Sequence, residues 1–139
     1  MRILGIDHGE KRLGIAISDP LGFTAQAVAV INKGETIDQD ISELNKIIKQ
    51  YEGIDEIVVG LPKTMKGEIG PQAKKVLEFV AALNDKLPVQ ITTWDERLTT
   101  VSAERVLISA GLSRKKRKKV IDRSAAAHML QSYLDTKRR

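Results

Sequence analysis

The sequence predicts an α/β fold: a mixed five-stranded sheet, with a three-strand antiparallel meander followed by parallel strands, and helices on both faces. Three observations carry this reading. Before Asn32, short runs of branched apolar residues alternate with glycine-bearing turns, as adjacent antiparallel strands require. From Ile37 the apolar residues switch to helical spacing. Helical and strand patterns then alternate, and parallel strands need crossovers of that kind, which cover the sheet. At 139 residues the chain fits one domain, 1–139, large enough to bury a core without staples.

Two branched apolar runs within Arg2 to Ser18 flank a tight turn, and Asp7 stands where the first run ends. Phe23 to Ile31, with Ala27, Val28, Val30 and Ile31, reads as the third strand. Ile37, Ile41, Leu44, Ile48 and Tyr51 form a helical stripe, opened by Thr36-Ile37-Asp38-Gln39 in the form of a capping box. Gly53 ends that helix. Glu56 to Gly60 is nearly all apolar, as a strand buried on both faces must be.

Leu61 to Gly70 is a loop holding Lys63 and Lys66, and Pro71 suits the first turn of a second helix, where the N–H it lacks would have no partner. Ala73, Val76, Leu77, Val80 and Leu83 form its stripe. Val89 to Trp94 alternates as a strand. A third helix is expected on Ala103, Val106, Leu107 and Ala110, stopped by Gly111. Leu112 to Lys119 reads as a basic loop, and a last helix follows from near Val120 to Thr136, buried through Ala125, Ala126, Met129, Leu130, Tyr133 and Leu134.

The first, fourth and fifth strands should run parallel, so their C-terminal ends share one edge, where open α/β sheets hold their ligands. Asp7 and Asp95-Glu96 fall there. Asp122 lies on the apolar stripe of the last helix, three and four residues before Ala125 and Ala126, whose small side chains allow close approach to the sheet. Converging carboxylates repel one another unless a cation offsets them, and hard oxygen ligands favour Mg²⁺ or Mn²⁺. Each acid also has a plainer reading: Asp7 and Asp95 as turn caps, Glu96 as a surface partner of Arg97 or Arg105, Asp122 as an acid at a helix N-terminus. Asp7 among its glycines also has the form of a phosphate loop of the actin and sugar-kinase superfamily, although 139 residues leave no room for a second lobe.

The net charge of +5 hides an asymmetry. From Leu112 onward ten Lys or Arg face two acids, including the run Arg114, Lys115, Lys116, Arg117, Lys118 and Lys119. A basic end on a mildly acidic body is the footprint of a polyanion partner, nucleic acid first, or else a solvated face. Aromatic residues are too few and scattered for a base-stacking platform. With no cysteine, disulfides and thiolate metal sites are excluded. No apolar run approaches the ~20 residues that span a bilayer. A soluble cytoplasmic protein, without membrane association, is expected.

Four blocks resemble the YqgF/RuvX family, relatives of the RuvC-type Holliday junction resolvases with an RNase H-like fold. They are Gly5 to Gly9 with Arg12 to Ala16, Val59 to Pro62 with Gly67 and Gly70 to Ala73, Asp95 to Thr100, and Asp122 to Ala126 with Leu130 to Leu134. The resemblance implies a nuclease maturing the 5′ end of pre-16S rRNA or, by analogy to its relatives, cleaving Holliday junctions, and in the latter case acting as a homodimer. The family's acidic positions fall on Asp7, Glu96 and Asp122. Metal-assisted hydrolysis with two Mg²⁺ or Mn²⁺ ions is the implied chemistry, with Lys63, Arg97 and the Arg114 to Lys119 run on the phosphate backbone. Lys63-Thr64 and Lys66 depart from the family's usual loop. A catalytically silent nucleic-acid-binding module is the remaining alternative.

Overall fold

A computed structural model describes residues 2–96 and 114–137, without the side chains of residues 114–124. β1 (Arg2–His8), β2 (Arg12–Ser18) and β3 (Ala25–Asn32) form the antiparallel meander. α1 (Ile37–Ile48) crosses to β4 (Ile54–Leu61), parallel to β1, and α2 (Pro71–Lys86) crosses to β5 (Gln90–Asp95), parallel to β4. The order across the sheet is β3-β2-β1-β4-β5. The last helix, α3, spans Arg114–Lys137. None of the described helices is long and apolar enough to cross a membrane.

The pleat sorts each strand between two cores. Leu4, Ile6, Leu13, Ile15, Ile57 and Val59 pack beneath α1 and α2, with Ile41, Leu44, Val76, Phe79 and Leu83. Ile3, Ala16 and Val58 point the other way, onto Ala126, Met129, Leu130 and Leu134 of α3. β4 therefore is buried on both faces, as its unbroken apolar run predicts. On the α3 side the sheet is surfaced with glycine. A Cβ at Gly5 would lie 3.0 Å from Leu130 Cβ, and one at Gly14 would lie 3.5 Å from Ala126 Cβ. The glycines and Ala126 thus set how near α3 comes to the strand ends.

The capping box is formed: the Thr36 hydroxyl accepts from Gln39 N at 3.2 Å, and Gln39 Oε1 accepts from Thr36 N at 3.3 Å. Gly53 follows with φ of +74°, the left-handed conformation glycine adopts without steric cost.

Several boundaries differ from the sequence expectation. β3 starts at Ala25 rather than Phe23, because the Asp19 carboxylate accepts from the N–H groups of Phe23 (2.6 Å) and Thr24 (2.8 Å) and holds them in the turn. Tyr51 lies past the end of α1, beneath the Arg2 guanidinium, which is 5.5 Å from its ring centre. In α2 the buried stripe runs through Phe79, while Leu77 is exposed. Residues 114–119 are helical, not a loop: the chain from Arg114 to Lys137 lacks glycine and proline, Lys and Arg are good helix formers, and the packed second half propagates helix backward. The helix expected over Ala103 to Gly111 lies outside the described residues.

The far end of α3 is tied to the sheet by Glu56, which is 3% exposed. Its carboxylate accepts from Thr92 Oγ1 at 2.6 Å, from Lys137 Nζ at 2.8 Å and from the Tyr133 hydroxyl. Burial alone would raise its pKa, but the hydrogen bonds from Lys137, Thr92 and Tyr133 outweigh that and hold it below the ordinary value. Glu56→Ala should therefore lower the unfolding free energy by about 2 kcal/mol, since three donors lose their acceptor. Chemical denaturation at pH 7 measures this, and an unchanged midpoint would show the cluster to be energetically idle.

Candidate active site

β1, β4 and β5 end at one edge, and alternation along each strand decides what faces α3 there. Asp7 shares its side with Ile3 and Gly5, so its carboxylate lies on the α3 face, half-buried. Gly60 lies beside it, one residue past the Ile6↔Val59 pair, and is itself paired with Trp94 of β5. Glu96 is the second residue after Trp94 and returns to the same face. Between Asp7 and Glu96 the sheet therefore carries a residue without a side chain. A Cβ at Gly60 would stand 2.7 Å from both Cγ and Cδ of Glu96. That gap lets the two carboxyl groups meet.

They meet as a hydrogen-bonded pair. Burial pushes the Glu96 carboxyl up to about 9, assisted by its hydrogen bond to Asp7 and by the charges of Asp7 and Asp95. At neutral pH Glu96 holds a proton and shares it with Asp7. Two acids in this geometry require a proton or a cation between them, so the donor set fits a hard divalent metal ion. Among the described residues no group of three His, Cys, Asp or Glu side chains forms a complete metal cluster.

The proton on Glu96 has a measurable consequence. The folded chain retains it up to about pH 9, whereas the unfolded chain releases it near 4.5, so metal-free stability should fall as pH rises through that window. Melting temperature in EDTA should decline from pH 5 to pH 9 in the wild type and decline less in Glu96→Gln. Parallel curves for the two proteins would contradict the shared proton.

Asp122 lies on α3 one turn before Ala125 and Ala126; its side chain is outside the described set. Ala126 packs over Gly14, whose added Cβ would also lie 3.7 Å from Asp7 Cβ, and Ala125 lines a cleft with Asp7. The helix segment carrying Asp122 thus adjoins the Asp7 edge. Lys63 is half-buried in the loop leaving β4 at that edge, and Lys66 is exposed on the same loop. Thr64 organises this loop: its N–H donates to Glu68 O at 3.0 Å, and its hydroxyl accepts from Glu68 N at 3.1 Å. Arg97 lies outside the described residues, as do the side chains of Arg114 to Lys119.

His8 takes no part in the acid pair. It projects to the opposite face, its ring centre 5.0 Å from that of Phe79, and burial followed by the charge of Lys33 lowers its pKa. Trp94 is likewise engaged, edge-on to Tyr133 at 5.6 Å between ring centres.

Sequence reasoning missed two features of this edge. Gly60 as a spacer needs the register of three strands, which periodicity does not supply. The cleft beside Asp7, about 390 Å³, is also lined by Lys11 and Arg12 of the β1–β2 turn. Two adjacent cations in the turn after an acid were the available signal.

Comparison with known proteins gives concordant results. The model of the RuvX family, described as Holliday junction resolvase, matches residues 1–136. A protein of Desulforamulus reducens named "Putative pre-16S rRNA nuclease" is 52% identical over 136 residues, covering 98% of both chains. One of the same name from Clostridium botulinum strain Hall is 53% identical over 136 residues, with the same coverage. Among solved structures, T. thermophilus RuvC in complex with a Holliday junction substrate aligns with a TM-score of 0.58 at 14% identity, over 99% of this chain and 95% of that one. Fowlpox virus resolvase with junction DNA aligns at 0.50 and 12% identity over the whole of both chains. At such identities these structures establish the fold, a RuvC-like RNase H fold.

Proposed function

This chain belongs to the RuvX family, and from that premise we propose that it is a metal-dependent endonuclease acting on the 5′ end of precursor 16S rRNA. The carrying observation is the Asp7–Glu96 pair, two carboxyl groups hydrogen-bonded across Gly60 at the edge where the parallel strands end. The names of relatives about half identical to this chain support the substrate. Work on precursor rRNA would place the protein in the cytoplasm.

Asp7, Glu96 and Asp122 would hold the metal. Two Mg²⁺ or Mn²⁺ ions held there would activate a water and stabilise the leaving oxygen. The chain's own contribution is placement. β1 and β5 present Asp7 and Glu96 from rigid strand ends, Gly60 leaves room between them, and Gly14 under Ala126 brings the Asp122 segment of α3 close. Glu96 gives up its proton on loading. Lys63, Arg97 and the Arg114 to Lys119 run neutralise phosphates, binding without reading sequence.

Cleavage of branched DNA is the second reading, favoured by the description of the family; it requires a homodimer that presents two sites to one junction. An assay offering precursor 16S 5′ ends, synthetic four-way junctions and plain duplex, with Mg²⁺ and with Mn²⁺, separates the readings. Preferential cutting of the precursor end supports the proposal. Preferential symmetric cutting of junctions replaces it with the second reading, and no cutting of any substrate leaves the silent binding module.

A further inference from the structure

The β1–β2 turn is held more firmly than its task of reversing the chain requires. Gly9 N donates to Arg12 O at 2.9 Å across the turn, Lys33 N donates to Lys11 O at 2.9 Å, and Lys33 Nζ donates to Gly9 O at 3.3 Å. The side chains of Lys11 and Arg12 are nevertheless exposed, and neither has an ion pair or hydrogen bond among the described residues. Two exposed cations without a partner among the described residues, on a turn whose backbone is already fixed, are suited to bind an anion, because the ordering cost left is that of the side chains alone.

Their position gives the anion a context. Asp7 pairs with Gly14 across the hairpin, and Gly14 pairs with Val30 on the outermost strand. Arg12 shares the α3 face with Gly14 and Ala16. The surface beside Asp7 is therefore flat at Gly14, apolar at Val30, which is 58% exposed, and bounded by Ala125 of α3, with Lys11 and Arg12 at its mouth. The volume of this open cleft, about 390 Å³, lies at the small end of the ~300–1,000 Å³ typical of small-molecule sites. Glu10 also lines this cleft and opposes an anion, which gives the test a sign.

We propose that this cleft seats the nucleotide adjoining the scissile phosphodiester, its sugar and base against Val30, Gly14 and Ala125 and its phosphate on Lys11 and Arg12. The substrate strand then crosses the sheet from the Lys63 loop past the acid pair toward β3. This rests on the nuclease reading for the identity of the adjoining bond; the binding of a nucleotide at the cleft does not.

The test is equilibrium binding of a fluorescent single-stranded oligoribonucleotide in EDTA, where cleavage plays no part. Lys11→Gln with Arg12→Gln should weaken binding about tenfold and lower the slope of log K against log salt by about 1.4, near 0.7 for each phosphate of a single strand that is no longer neutralised. Val30→Glu should weaken it in the same direction, and Glu10→Gln should tighten it about threefold by removing a like charge. Lys46→Gln with Lys49→Gln removes equal charge at the far end of α1 and should change neither quantity. Equal losses in the two double variants, or weaker binding by Glu10→Gln, would overturn the proposal. Wild-type cleavage, measured in parallel with Mg²⁺, reports separately on the nuclease reading: no cutting with the predicted binding losses leaves the nucleotide site standing and removes the nuclease.

Discussion

Asp7→Asn should abolish cleavage, lowering the rate at saturating Mg²⁺ by at least about 10³-fold, while the protein stays folded and still binds nucleic acid. The size follows from what is removed. A metal site supplies several kcal/mol of transition-state stabilisation, and each 1.36 kcal/mol is about tenfold in rate. The fold should survive because Asp7 holds no core together: it is half-buried at a strand end, and an amide can still meet the Glu96 carboxyl. Single-turnover cleavage with thermal melts checks both halves. Wild-type activity in pure Asp7→Asn would refute the assignment of the acids.

Gly60→Ala is the second large effect. Gly60 has no left-handed conformation to defend; alanine fits its backbone, and the strand pairing is untouched. The added methyl instead occupies the space of the Glu96 side chain, 2.7 Å from its Cγ and Cδ, and the carboxyl must swing away from Asp7. A displacement of about 1 Å in a catalytic group costs on the order of 10²-fold. The turnover rate should fall by about that factor with substrate affinity little changed, and the unfolding free energy should fall by about 1–3 kcal/mol from overpacking. The pH dependence of melting should also flatten, as in Glu96→Gln, because the shared proton is lost. Normal turnover would mean that Glu96 has no part in the chemistry.

The pattern of what the sequence reveals follows from the physics of each feature. Asp7 and the Asp95-Glu96 pair are legible as neighbours because each follows a strand-patterned run, and parallel strands bring such ends to one edge whatever the register; the choice of Glu96 over Asp95 comes from the family resemblance. Gly60 is not, because its role depends on standing between two particular residues of other strands. The choice between Asp7 and His8 belongs to the pleat: adjacent residues face opposite sides, and only the packed structure assigns α3 to one of them. In α2, Leu77 and Phe79 both lie within reach of a helical stripe. Rotation of the helix on the sheet selects Phe79, which packs beside His8. The basic run lacks apolar residues altogether, so periodicity is silent there, and its helical state comes from the packed turns that follow it.

If the proton shared by Asp7 and Glu96 stands where a divalent cation belongs, loading the metal must expel it. Calorimetric titration of the metal-free protein with Mn²⁺ at pH 7.5, in two buffers of different ionisation enthalpy, reads that exchange. The wild type should bind Mn²⁺ with release of about one proton, because a ligand carboxyl must deprotonate. Asp7→Asn should lose the binding, and Glu96→Gln should lose the proton release. Binding of Mn²⁺ with no proton released, or binding undiminished in Asp7→Asn, would contradict a metal site built on this pair.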